Sequence, residues 1–136
     1  MSNVCSGGTK LIYACSGAAD VGQISDLVAR KLAKEGIGKM TCLAGLGAHL
    51  TNFIESASSV DENIAIDGCQ VACARKVLEH IGVPLESFIL TEMGLEKANA
   101  TINDATVSDI TEKIKASAPA ITNDKENGGC DCGGLC

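Results

Sequence analysis

Aromatic side chains are almost missing from this chain: its 136 residues hold no tryptophan and only Tyr13, Phe53 and Phe88. The core must therefore come from Ile, Leu, Val and Ala, which suits a sheet covered by alanine-rich helices. Basic charge is short as well. Eleven Lys and Arg stand against seventeen Asp and Glu, giving a formal net charge of −6 and a pI near 4.8. With no basic stripe to pair with phosphates, neither nucleic acid nor an anionic membrane is an expected partner. No apolar run approaches the ~18 residues of a membrane span. The opening stretch, MSNVCSGGTKLIYACSG, has neither the apolar core nor the charged leader of a signal peptide. A cytoplasmic protein is expected, with one domain able to bury roughly two-thirds of its unfolded surface without a disulfide.

Cysteine is what the chain has in excess. There are eight, at positions 5, 15, 42, 69, 73, 130, 132 and 136. In a reducing compartment that number points to metal binding or thiol chemistry rather than a disulfide scaffold.

The chain is organised around NIAIDGCQVACARKVLEHIG, residues 63–82. Ile64-Ala65-Ile66 reads as a buried strand of the kind found in parallel sheets. Asp67-Gly68 breaks it. A helix is expected from Cys69 onward, with Val71, Ala74, Leu78 and Ile81 at helical spacing and Cys73 in its first turn. Residues four apart share a helix face, so Cys69 and Cys73 are expected to point together at the space above the strand end.

Earlier in the chain, residues 9–14 (TKLIYA) read as a strand ending at Cys15. Asp20-x-x-Gln23 resembles a capping box opening a helix. That helix has an apolar stripe of Ile24, Leu27, Val28 and Leu32, puts Asp26, Arg30, Lys31 and Lys34 toward water, and stops at Gly36 and Gly38. Residues 39–44 (KMTCLA) read as a second strand with Cys42 near its end, followed by a turn at Gly45-Leu46-Gly47. Leu50, Phe53, Ile54 and Ala57 then recur at helical spacing. Residues 85–91 (LESFILT) read as a fourth strand, and a last helix opens on Thr106-x-x-Asp109, buries Val107, Ile110 and Ile114, and ends at Pro119.

Strands alternating with helices imply an α/β fold of three layers, Rossmann-like, with a mostly parallel sheet of about four strands and helices on both faces. The domain is read as residues 1–118 and residues 119–136 as a flexible cysteine-rich tail. In such sheets ligands bind at the strand carboxyl ends. Cys15, Cys42 and Cys69 each fall at or just past such an end, with Cys73 close behind. Four thiolates suit zinc, with Zn–S near ~2.3 Å, and soft sulfur also selects Cu(I) or an iron–sulfur cluster over hard cations. The competing view is that each is an inert buried hydrophobe, and Cys-x3-Cys is not the usual Cys-x2-Cys knuckle.

Three stretches, YACSGAADVGQISD, GKMTCLAGLGAHL and AIDGCQVACARKVLEH, resemble the DGC-domain family of zinc-binding proteins, whose naming motif stands here as Asp67-Gly68-Cys69. The resemblance spans about residues 10–82 and implies that the family's four chelating cysteines are Cys15, Cys42, Cys69 and Cys73. It implies metal binding in a cytoplasmic bacterial or archaeal setting and brings no reaction with it; zinc held for metal handling or thiol redox chemistry is the expected function.

Cys5 reads as a terminal residue of no special role. Cys130, Cys132 and Cys136 in GGCDCGGLC form a tail that can chelate, exchange thiols, or pass metal to the core site. A rival reading takes Cys69 and Arg75 as Cys-x5-Arg, a phosphate-cradling loop with Cys69 as nucleophile in a phosphatase-like or arsenate-reducing enzyme. Against it, QVACA contains no glycine. His49 reads as a helix-start residue, with ligand or proton shuttle as the alternative, and His80 as a residue matched to a helix C-terminus. Asp67 is expected to accept hydrogen bonds from the turn or from Ser16. A metal ion, with a small thiol or anion, is the expected partner. Placement at the ligand edge makes the zinc exchangeable or catalytic rather than only a staple.

Overall fold

The computed structural model describes residues 9–117. Cys5, Cys130, Cys132, Cys136, Pro119 and the expected boundary and tail at 118–136 lie outside the described residues. Four strands form one sheet: β1 (Lys10–Ala14), β2 (Lys39–Met40), β3 (Glu62–Asp67) and β4 (Leu85–Ile89), in the order β2-β1-β3-β4, every pair parallel. Helices α1 (Asp20–Lys34), α2 (Leu43–Gly47), α3 (Thr51–Ser59), α4 (Cys73–Ile81) and α5 (Asp104–Ser117) connect and follow them, with one 3-10 turn at Leu90–Met93.

Period-two alternation in the strands divides the core into two layers. Ile12 and Ala14 of β1 and Ile64 and Ile66 of β3 face α1 and α5, meeting Ile24, Val28, Leu32, Ile110 and Ile114. Leu11, Tyr13 and Ala65 face the other way, against Leu46, Ala57, Ala74 and Leu78 of α2, α3 and α4. Tyr13 sits level with Ala65 on the neighbouring strand, so its large ring lies beside a small side chain. Burial pushes the Tyr13 phenol up to about 12.

The three-layer α/β architecture agrees with expectation, and several boundaries do not. The second strand is two residues long, not six, because Leu46 must be buried in the α4 layer and the chain turns helical immediately after Cys42. Gly45 and Gly47 are consequently helical rather than a turn. The fourth strand ends at Ile89, and Leu90 enters the core from a 3-10 turn.

Both expected capping boxes are absent. Asp20 is the first residue of α1 and its carboxylate turns to a distant loop. Asn103, three residues ahead of Thr106, accepts the Thr106 N–H at 2.8 Å and opens α5. The helix expected from Cys69 starts at Cys73, which leaves Val71 exposed at 53%. No helix among the described residues is long and apolar enough to cross a membrane.

The order β2-β1-β3-β4 reverses direction between β1 and β3: the chain leaves β1 for β2 on one side and crosses back to β3 on the other. Connections therefore diverge above that gap, which is where such sheets form a ligand crevice. Ile64, fully buried in the central strand, tests the layer assignment. Ile64→Ala is expected to lower the unfolding free energy by about 3–4 kcal/mol, and Val71→Ala to change it by less than about 0.5 kcal/mol, both read from urea denaturation.

Candidate metal centre

The crevice is built by the Asp67-Gly68-Cys69 turn. Asp67 closes β3 at 1% exposure, and its two carboxylate oxygens accept the N–H groups of Ala74 at 2.8 Å and Arg75 at 3.0 Å. These are first-turn donors of α4, which have no partner within the helix. The carboxylate thus ties a strand end to the helix it feeds across the intervening loop. Burial raises the Asp67 carboxyl above the usual aspartate range, against the pull of the two N–H groups and the Arg75 and Lys76 charges. The expectation that Asp67 accepts bonds from the turn holds; Ser16 instead donates to Asp26 at 3.0 Å.

Gly68 is a matter of space. A Cβ there would lie 2.5–2.7 Å from backbone atoms of Val21 and Gly22. Gly22 is equally confined, since its Cβ would fall 2.6 Å from the Gly17 carbonyl oxygen. Three backbone segments meet here: the loop after β1, the first turn of α1 and the turn after β3. Cys15 occupies their junction, half-buried, with its Sγ accepting the Gly68 N–H at 3.3 Å and lying 3.2 Å from Ser25 Oγ. Ser25 is fully buried and donates its hydroxyl proton to the Gly22 carbonyl at 2.6 Å, so the Cys15 thiol proton is directed to Ser25 Oγ.

The other sulfurs are more open. Cys42 is the exposed N-cap of α2, and Cys73 is the exposed first residue of α4. Ala72, between the two cysteines of the turn, adopts a left-handed φ of 54°, which ends any helix N-terminal to Cys73. Cys69 and Cys73 are therefore not successive positions of one helix, and the expected i, i+4 stacking does not occur. Cys69 is half-buried and receives the ammonium of Lys97 at 3.7 Å. Lys97 arrives on the loop before α5, where Asp20 accepts the N–H groups of Ala98 at 2.9 Å and Ala100 at 2.8 Å. Those bonds, Ala100 first and Ala98 second, hold the Asp20 carboxyl below its ordinary value. Neither Lys97 nor Ser25 was marked by spacing or motif.

All four sulfurs of Cys15, Cys42, Cys69 and Cys73 belong to the carboxyl edge, since every strand runs the same way. They do not form a closed cage: among the described residues no three His, Cys, Asp or Glu side chains are grouped tightly enough to hold an ion. Strand spacing explains this. Cys42, Cys15 and Cys69 follow three adjacent strands, which puts the outer two roughly 10 Å apart, while Zn–S bonds near ~2.3 Å require sulfurs about 4 Å from one another. The donor set suits a soft ion, and the edge loops must draw together to ligate it.

Cys69 and Arg75 do not assemble an anion cradle. The N–H groups of Ala74 and Arg75 are committed to Asp67, and the Arg75 guanidinium pairs with Glu79 at 2.7 Å along the exposed face of α4. His49 and His80 face each other edge to face, with ring centroids 5.7 Å apart, beside Lys76 in a separate small cleft.

The DGC domain family matches residues 11–114, from β1 through α5. The anaerobic and virulence modulator AnvM of Pseudomonas aeruginosa strain PAO1 is 35% identical over 88 residues, covering 64% of this chain and 67% of AnvM. No solved structure matches the chain.

Two carboxylates are open to test. Asp67→Ala leaves two helix N–H groups unpaired, so stability at pH 7 is expected to fall by about 2 kcal/mol. The raised Asp67 value favours its protonated form in the folded chain. The protonation-linked part of its contribution, separate from the cap bonds that remain at pH 7, is therefore fully present below the ordinary aspartate value and declines as pH rises through the raised one, and this decline should vanish from the urea–pH profile of the variant. Asp20 has the opposite sign: its support for the loop exists above the ordinary aspartate value and is lost as pH falls through the lowered one. Asp20→Asn should speed amide exchange at Ala98 and Ala100 by on the order of tenfold.

Proposed function

This chain belongs to the DGC-domain family, and from that premise we propose that it is a cytoplasmic metal-binding protein that takes up a thiophilic ion, zinc first, through Cys15, Cys42, Cys69 and Cys73. One observation carries the reading. The all-parallel sheet brings the segments bearing these four cysteines to one edge, across the ends of β2, β1 and β3, and two of the sulfurs already receive protein donors, the Gly68 N–H and the Lys97 ammonium.

Four thiolates around Zn²⁺ carry a formal charge near −2, which hydrogen-bond donors and nearby cations make tolerable. Gly68 offers its N–H to Cys15 because no side chain separates it from α1, and Lys97 offers its charge to Cys69 because Asp20 pins the loop it stands on. Asp67 holds the Cys69–Cys73 turn to the sheet, so two ligands move with one rigid strand end. Cys42, exposed on a short edge segment, has the freest path inward.

A domain with two complete core layers does not need an ion in order to fold. That favours an ion that is loaded and released, with a small thiol as the partner that exchanges for a protein ligand. AnvM is named a modulator, and the name favours a regulatory use of the bound ion over a purely structural one.

Anaerobic purification with metal analysis tests the assignment. One zinc per chain is expected, with a colourless spectrum, and serine at any one of the four cysteines should weaken zinc binding by at least about 100-fold, as expected for losing a ligand rather than a hydrogen-bond partner to one. Less than a tenth of an equivalent of metal in the reduced protein, or four serine variants that bind as the parent does, would overturn the assignment. A brown protein with bound iron would replace zinc by a cluster on the same sulfurs.

A further inference from the structure

Two of the four sulfurs share a space that the other two do not. A cavity of about 760 Å³ between the loops that follow β1 and β2 is lined by Cys15 and Cys42, with Ser16, Thr41 and Leu43 at its wall, and by neither Cys69 nor Cys73. The strand ladder brings the backbones of the first two close. Ile12 pairs with Met40, and the Thr41 N–H still donates to the Ile12 carbonyl at 3.0 Å. Continuing that register by two pairs, past the end of β2 at Met40, sets Cys42 level with Ala14. The Cα atoms of Cys15 and Cys42 are then separated by one strand spacing of ~4.8 Å and one rise of ~3.3 Å, about 6 Å in all. Disulfides form at Cα separations of roughly 4.4–6.8 Å.

We propose that Cys15 and Cys42 are a dithiol pair that exchanges with low-molecular-weight disulfides and closes an intramolecular bridge across the carboxyl ends of β1 and β2. Their environments divide the work. Cys42 is exposed, and its side chain makes no capping bond, so it meets the incoming disulfide. Cys15 is half-buried, with its sulfur on Ser25 and on Gly68 at the β3 side, and it resolves the intermediate by turning from those contacts toward β2.

The deprotonated Cys42 sulfur attacks one sulfur of RSSR, the S–S bond breaks, and one RS⁻ leaves and takes up a proton. Cys15 then gives up its proton, attacks the Cys42 sulfur of the mixed disulfide and expels the second RS⁻, which is protonated in turn. The pair loses two electrons and two protons, and RSSR gains them as two RSH. Cys69 is excluded by position, since its sulfur turns out of this cavity to Lys97.

The test uses the full reduced chain, stripped of metal, with hydroxyethyl disulfide as the oxidant, followed by alkylation and non-reducing peptide mapping. Trypsin alone leaves Cys42, Cys69 and Cys73 on one peptide, residues 40–75, so a glutamate-specific protease must also cut after Glu55. The expected product links the peptide bearing Cys15 to the one bearing Cys42, with Cys69 and Cys73 alkylated. Cys15→Ser should trap Cys42 as a stable mixed disulfide, and Cys69→Ser should leave the link unchanged. A bridge from Cys15 or Cys42 to any other cysteine, or a Cys42 adduct that Cys15 never resolves in the parent chain, overturns the proposal.

One consequence rests on the metal reading above: a bound ion would occupy the same sulfurs, so one equivalent of zinc should slow the exchange at least tenfold. Exchange indifferent to zinc, with the bridge still between Cys15 and Cys42, overturns their assignment as metal ligands and supports the dithiol pair.

Discussion

Everything at the carboxyl edge depends on how closely three stretches of backbone approach one another where Gly68 meets the first turn of α1. The neighbouring main chain stands 2.5–2.7 Å from where a Cβ would be at Gly68, so the turn after β3 can lie flat against the helix only if residue 68 has no side chain. That contact puts the Gly68 N–H on the Cys15 sulfur, holds the loop after β1 through Gly22 and Gly17, and obliges α4 to begin late. Asp67 completes the arrangement by supplying α4 with the acceptors its first turn lacks.

A second feature follows from the first. Ser16, Ala72 and Ala98 all have positive φ without being glycine, and they stand on the loop after β1, the turn before α4 and the loop that carries Lys97. Such residues cost on the order of 1–3 kcal/mol each and persist only where surrounding structure over-determines them. Here the anchors are visible: buried Asp67 for the turn and Asp20 for the distal loop. The two carboxylates perform similar tasks with opposite titration behaviour, because Asp67 is enclosed and Asp20 is surrounded by donors near solvent. The edge is thus a set of short loops held individually to a rigid sheet.

Much of the fold could be read from residue order because buried parallel strands have a plain signature. Ile64-Ala65-Ile66, the stripe Ile24, Val28 and Leu32, and the trio Val107, Ile110 and Ile114 all lie in the core as their spacing requires. The misreadings fall where local pattern competed with a distant contact. Lys39 to Ala44 has strand-like composition, yet burial of Leu46 turns the chain helical after Cys42. Val71 continues the helical period of α4, yet the Gly68 contact and the Asp67 cap postpone the helix to Cys73. Asp20 has the position of a capping residue, and its acceptors are claimed from nearly eighty residues away.

The chain's order of amino acids determined on its own that strands and helices alternate, that the core is aliphatic, and that Cys15, Cys42, Cys69 and Cys73 arrive at strand ends, because hydrophobic period and glycine placement are local properties. The tertiary structure decided which sulfurs are neighbours: Cys15 with Cys42 across a cavity, Cys69 with Lys97, and Cys73 in the open. Strand order is set by which faces bury together, and that balance involves segments far apart in the chain, so no short stretch records it.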